Sequence, residues 1–353
     1  MEKYLGVLGA AGTVGKAVLD TLRTLTKSEI LAGARKPEKI LDSAALKVMH
    51  VDINQPAELE AFCIQCRTVI NCIGPPLEVK DKIARACLKA NANYVDVSGD
   101  DELKKLLAQY NEEFIARDLC CIHSAGVNPG LTEFLTGFLV KKYNPGFFEI
   151  YFSGRGRISE NAAIDMIMSC KSDSTAGMSC IKNGAVERIF DFKFDVQLPC
   201  PTGNVMCFPV INENFRRCIQ ELKVPSAFFF NTFGSQNVMM CMAEAKMKPA
   251  DTKEELLKMA GELMGAFESD AEKYGQEFTA IHARINQEEN RINRSLIYSG
   301  NWNELTGIVG GVTGIGVDLG ALNKKGVGEI WDSMNDKWFL DYLLKNKGIQ
   351  CPI

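Results

Sequence analysis

Little in this chain favours a membrane, a nucleic acid or a secreted scaffold. No uninterrupted apolar segment reaches the ~18–20 residues that a spanning helix requires. The nearest approach, "SAFFF" followed by "NTFGSQNVMMCM", is broken by Asn231, Gly234, Gln236 and Asn237. Positive charge is not in excess: 40 Lys and Arg stand against 44 Asp and Glu, a formal charge of −4 that argues against nucleic acid as the main partner. Met-Glu-Lys leads at once into a strand-like run, so no signal peptide is expected. Cys63 and Cys66 form a C-x-x-C, but no second pair follows at zinc-site spacing. Thirteen cysteines are nonetheless present, mostly single and within apolar runs such as "TVINCIG" and "LCCIH". Without a secretion signal they read as free, buried thiols in a reducing compartment. The expectation is a cytoplasmic protein without metal or membrane contact. Internal repeats and low-complexity tracts are also absent.

What is present is alternation. From residue 4 to about 126, strand-like runs ("YLGVLG", "EILAGAR", "ALKVMHVDI", "TVINCIG", "YVDVSG", "CCIHSAG") are separated mostly by helical patterns. Lys16 to Leu25 carries Val18, Leu19, Leu22 and Leu25 on one face, and Pro56 suits the first turn of "PAELEAFCIQC". Short β-rich runs alternating with helices imply a doubly wound parallel sheet. After Pro129 the pattern becomes α+β. "FFEIYFSG", "RIFDFKFDV", "EFTAIHARIN" and "RINRSLIYSG" read as strands, the last two as a long hairpin. Thr252 and Glu255 predict a capping box before a long helix. From about Thr306 helical patterns return in "TGIVGGVTGIGVDLGAL", whose glycines permit close packing, and in "EIWDSMNDKWFLDYLLKNKG". Three segments are therefore expected: 1–126, an α/β Rossmann domain; 127–305, an inserted α+β domain on an antiparallel or mixed sheet; and 306–353, helices returning to the first domain.

The first strand hands over to a helix through "GAAGTVG", where Gly9, Gly12 and Gly15 stand three apart. Backbone N–H groups come close to a phosphate only where no side chain intrudes, and a helix N-terminus favours negative charge. The cradle comprises Gly9, Ala11, Gly12, Thr13 and Val14. The usual partner of such a loop is an acid about 20 residues on, bound to the adenosine ribose. No acid stands there. The second strand ends in "LAGARKPEK", placing Arg35 and Lys36 where a carboxylate would otherwise sit. A guanidinium attracts a 2′-phosphate that a carboxylate would repel, so NADP(H) is the expected cofactor. Asp52, ending the third strand, is expected at the adenine edge. Asn71, Cys72, Ile73 and Gly74, ending the fourth, are expected beside the ribose and pyrophosphate.

"GAAGTVGKAV", "VINCIGPP", "ARACLKANANYVDVSGD" and "AGVNPGLTEFL" together resemble the saccharopine dehydrogenase-like family of NAD(P)-dependent oxidoreductases, densely over residues 4 to about 140. The resemblance implies a Rossmann domain, an inserted α+β domain whose mixed sheet often supports a homodimer, and a C-terminal return. It also implies hydride transfer at a C–N bond of a small substrate, by an amino-acid or opine-type dehydrogenase or an imine reductase. Two alternatives stay open: reduction of a lipid-like or enoyl substrate, for which "SAFFFNTF" would supply an apolar wall, and a non-catalytic NADP(H)-binding redox sensor. Where relatives commonly carry a "GGLP"-like loop, this chain has "SGRGRIS".

Imine chemistry also needs a proton donor or acceptor. In open α/β sheets such groups gather beyond the C-terminal strand ends, which selects Asp100, His123 and Glu133. Each has a plainer reading: a helix cap, a core histidine and a first-turn acid. Tyr94 and Asp96 read as structural. Arg155 and Arg157 are the candidates for clamping a substrate carboxylate, and a solvated loop is their plainer reading.

Overall fold

The computed structural model describes residues 3–40, 46–99, 101–172, 175–190, 193–250, 252–287 and 290–352. They form two compact units. The first comprises Met1–Phe134 and Asn303–Lys347, the second Leu135–Trp302 and Gly348–Ile353.

Along the chain the first unit begins with β1 (Tyr4–Leu8), α1 (Thr13–Leu25), β2 (Ile30–Ala34), β3 (Leu46–His50), α2 (Pro56–Ile64) and β4 (Cys66–Asn71). There follow α3 (Pro76–Val79), α4 (Lys82–Lys89), β5 (Asn93–Asp96), α5 (Asp101–Ala108), α6 (Asn111–Ala116), β6 (Cys120–His123) and α7 (Leu131–Tyr143), the last of which crosses the boundary between units. β2 is buried at every position, as a strand covered on both faces should be. Helix α1 buries Val18, Leu19 and Leu22 along its apolar face. Gly6 and Gly33 leave room for the Phe62 ring, from which a Cβ on either would lie 2.9 or 2.8 Å away. The core beneath α2 and α4 gathers Phe62, Cys63, Cys66, Cys87, Tyr94 and Cys121, all fully buried. Burial pushes the Cys66, Cys87 and Cys121 thiols above their ordinary range, which makes them packing groups.

The second unit contains β7 (Phe147–Arg155), α8 (Glu160–Lys171), β8 (Ala176–Gly177), β9 (Ser179–Lys182), β10 (Ala185–Arg188), β11 (Lys193–Leu198), β12 (Gly203–Ile211), α9 (Glu213–Glu221), β13 (Ser226–Phe233), α10 (Gln236–Met247), α11 (Lys253–Tyr274), β14 (Phe278–Gln287) and β15 (Asn290–Tyr298). Its sheet runs β10-β9-β13-β7-β14-β15, with β12 beside β13. It is mixed: β13 pairs parallel with β7, while β14 pairs antiparallel with both β7 and β15. "SAFFFNTF" is the central strand β13, with Phe229 and Phe230 buried. Helices α8, α10 and α11 form one apolar layer with Ile164, Val238, Leu263 and Phe267. The Thr252–Glu255 capping box opens α11.

The chain then forms α12 (Trp302–Asp318), β16 (Gly326–Glu329), α13 (Ile330–Ser333), α14 (Asp336–Leu343) and β17 (Ile349–Gln350). The α12 glycines meet their neighbours closely: Cβ atoms on Gly307 and Gly311 would lie 2.4 Å from Ala17 Cβ and 2.9 Å from Thr21 Cβ of α1. The first sheet is wholly parallel, in the order β16-β6-β5-β4-β1-β2-β3. Its seventh strand was not expected. "GVGE" carries no strand periodicity, and its pairing groups come from β6, about 200 residues earlier. The helical reading of "EIWDSMNDKWFLDYLLKNKG" accordingly gives way to a strand end and two short helices. β17 pairs with β15 of the second unit. No helix among the described residues is long and apolar enough to cross a membrane.

Candidate cofactor and substrate sites

The turn from β1 to α1 is built for close approach by an anion. Gly9 adopts φ +77°, a left-handed conformation that favours glycine. Its carbonyl accepts the Gly12 N–H at 3.0 Å. A Cβ on Gly15 would lie 2.2 Å from that carbonyl oxygen, so helix and turn touch through glycine. A Cβ on Gly12 would meet only the same oxygen, at 3.3 Å. Gly12 is exposed, caps α1 without a side-chain hydrogen bond, and no acid stands in the first turn. The helix start thus keeps its unsatisfied N–H groups and its positive end for a ligand. This geometry fits a pyrophosphate. Ala11 is half-buried, Thr13 is exposed and Val14 half-buried at the same helix start.

Arg35 and Lys36 follow β2 directly and are both exposed. Neither side chain makes a hydrogen bond or ion pair with any described residue, which leaves both cations available to a phosphate. Asp52 lies just beyond β3. Its carboxylate accepts the Asn54 N–H at 3.0 Å, and its own N–H donates to Glu58 at 2.8 Å. Asn71 ends β4 and is almost wholly buried. The following residues, Cys72, Ile73 and Gly74, are half-buried. Cys72 donates its N–H to Leu8 at 2.9 Å, and burial raises its thiol pKa.

The proton-transfer candidates divide. Asp100 lies outside the described residues. His123 ends β6, buried, with Nδ1 3.0 Å from the Ser124 hydroxyl. Glu133 is fully buried and accepts from the Gly130 N–H at 2.6 Å and the Thr132 hydroxyl at 2.7 Å. Burial pushes its carboxyl above the usual range and those two donors pull it back, while Glu329 adds to the rise. This arrangement ties the "AGVNPG" turn to the first turn of α7.

In the second unit, Arg155 ends β7 and donates to the Tyr274 carbonyl at 2.9 Å. Its guanidinium lies over the rings of Tyr274 and Phe278 at 5.5 and 5.2 Å, a setting that orients it. Arg157 forms an exposed ion pair with Glu268 at 3.0 Å. Ser153, Gly154, Arg155, Thr232 and Tyr274 line a small cavity. A larger one, of about 430 Å³, abuts it beside Asn204, Gln236, Asn237 and Lys273. The described residues contain no cluster suited to a metal ion.

One contact set was not legible in the sequence. Asp96, at the end of β5, accepts hydrogen bonds from the Tyr94 hydroxyl, the Asn71 amide and the Ser98 N–H. The only local signal is the Tyr94–Asp96 spacing, which puts both on one strand face.

Residues 5–118 match the family described as saccharopine dehydrogenase NADP binding domain. A saccharopine dehydrogenase-like oxidoreductase of Homo sapiens is 28% identical over 145 residues, 35% of this chain and 34% of that protein. A probable mitochondrial saccharopine dehydrogenase-like oxidoreductase of Arabidopsis thaliana is 29% identical over 126 residues, 30% of this chain and 28% of that one. The match therefore spans about a third or less of these relatives. Among solved structures, apo saccharopine dehydrogenase (L-Glu forming) from Saccharomyces cerevisiae superposes with a TM-score of 0.68 at 13% identity, over 99% of both chains, so the fold is shared.

Proposed function

We propose that this chain, whose residues 5–118 match the saccharopine dehydrogenase NADP-binding domain family, is an NADP(H)-dependent oxidoreductase acting at a C–N bond of a small carboxylated substrate. The observation that carries the reading is the uncapped start of α1 behind Gly9 and Gly12, together with two exposed cations at the end of β2 that pair with no described residue. In this reading the α1 N-terminus holds the pyrophosphate, and Arg35 and Lys36 hold the 2′-phosphate. Asp52 borders the adenine, and Asn71 to Gly74 border the ribose. When bound, NADPH supplies a hydride to a C=N bond, and NADP⁺ takes one in the reverse direction. The accompanying proton is assigned to Asp100, to His123 at the end of β6 and to Glu133 in the first turn of α7. Arg155 and Arg157 are assigned to the carboxylate, for which a guanidinium fork is the geometric match. The fold shared with yeast saccharopine dehydrogenase, an L-Glu-forming enzyme, supports this choice of substrate class.

The test is NADPH consumption by the purified protein with paired amines and keto acids, beside a panel of enoyl and isoprenoid compounds. Turnover confined to amine and keto-acid pairs is the expected result. Turnover of the uncharged panel alone would establish the lipid-like alternative, and tight NADPH binding without any turnover would establish a sensor.

A further inference from the structure

Asp96 is buried to 1% exposure at the end of β5. A carboxylate there is costly unless hydrogen bonds replace its water. It has no ion pair with any described residue; its partners are neutral donors. They are the Tyr94 hydroxyl, the Asn71 Nδ2 group at 3.0 Å and the Ser98 N–H at 2.8 Å. Burial raises its pKa, and these donors pull it back. All three contacts meet the carboxyl group as an acceptor.

That acceptor role sets the sense of its neighbour. Asn71 and Asp96 are register partners on β4 and β5. An amide side chain can ordinarily be turned end for end, but turning Asn71 would set oxygen against carboxylate oxygen. Its Nδ2 therefore faces Asp96, and its Oδ1 accepts the Ile73 N–H at 2.9 Å. The segment thus held runs directly beneath the glycine turn. A Cβ on Gly9 would lie 2.9 Å from the Cys72 carbonyl carbon and 3.0 Å from Ile73 Cγ1. Asp96 also receives the Ala125 N–H on its backbone carbonyl at 2.8 Å, so the ends of β4, β5 and β6 meet at this residue. Ligands of open α/β sheets bind beyond this edge.

We propose that Asp96 is a positioning residue for the dinucleotide: its carboxylate fixes the Asn71 amide, and Asn71 fixes Cys72 to Gly74 against the Gly9 turn. The inference rests on NADP(H) binding by the first unit, and not on the substrate reading. Asp96→Asn turns an amide N–H₂ toward groups that already donate. It should weaken NADPH and NADH binding alike, by at least ~10-fold, the scale of one missing charge-assisted hydrogen bond. Asn71→Ala, which removes the acceptor for the Ile73 N–H together with the Nδ2 donor to Asp96, should act in the same way and provides the test if Asp96→Asn does not fold.

The decisive variant is the exchange Asn71→Asp/Asp96→Asn. It restores one carboxylate and one amide across the same strand pair. The carboxylate, now on β4, would accept from the Ile73 N–H and from the amide introduced on β5. The exchange should recover most of the affinity that either single variant forfeits, which general removal of a buried charge would not. The measurements are fluorescence titrations of both cofactors, with circular dichroism in parallel. Wild-type protein that bound neither cofactor would overturn the cofactor reading itself. Given wild-type binding, native affinity in Asp96→Asn or Asn71→Ala would overturn the positioning role. So would an exchange no better than the weaker single variant.

Discussion

The three glycines of the β1–α1 turn should separate cleanly into a ligand position and a packing position. At Gly12 the backbone is extended, with φ −78° and ψ 169°, a conformation open to valine. A Cβ there meets only the Gly9 carbonyl oxygen, at 3.3 Å. Gly12→Val should therefore fold, losing about 1 kcal/mol for an apolar N-cap, or roughly 2–4 °C in melting temperature. Its methyl groups would occupy the approach to the Thr13 and Val14 N–H groups. Each hydrogen bond to a charged phosphate is worth about 1.5–3 kcal/mol, so blocking two predicts at least ~100-fold weaker NADPH binding. Gly15→Ala should behave in the opposite sense. Its Cβ would lie 2.2 Å from the Gly9 oxygen and 2.8 Å from Ala10 Cα, so backbone must move. Overpacking of this kind costs about 1–3 kcal/mol, or roughly 2–12 °C, with affinity changed only as far as the turn is displaced. Calorimetric melting beside NADPH titration reads both quantities. Native NADPH affinity in a folded Gly12→Val protein, or a native melting temperature in Gly15→Ala, would refute the division.

Arg35→Asp should weaken NADPH binding by about 10- to 150-fold and shift the preference toward NADH, because a repelling charge replaces an attracting one; an unchanged NADPH/NADH ratio would remove Arg35 from the 2′-phosphate. Replacing Arg155 and Arg157 together by Met should lower kcat/KM for carboxylated substrates by at least ~10-fold while NADPH affinity holds, and equal turnover of those substrates by both proteins would refute the clamp. His282, buried between the hydroxyls of Thr202 and Ser295 at 2.8 Å each, is pushed down to about 4 by burial and by Arg284. Because the unfolded chain takes up the proton first, this contribution is complete above about pH 6.5 and is lost as pH falls toward 4, about 3 kcal/mol in all. Urea unfolding across that range should show the loss in wild type and a flatter profile in His282→Gln, and identical profiles would refute it.

Much of the first sheet was readable because its information is local. Apolar runs, turn residues and helical periodicity lie within a few positions of one another, and "GAAGTVG" announces both a strand end and a helix start. The absence of an acid after "LAGA" was equally visible, and with it the positive charge at the end of β2. Tertiary structure decided what depends on pairing at a distance. β16 exists because β6 supplies its hydrogen bonds. Asn71 meets Asp96 because β4 and β5 adopt one register, and no spacing along the chain reveals which amide will face which carboxylate. Arg155 is oriented by Tyr274 and Phe278, more than a hundred residues away. Short-range periodicity specifies elements because each residue's neighbours are covalently close. The partners of buried polar groups are selected only when strands have closed over long loops, and there one donor facing one acceptor determines the geometry of a site.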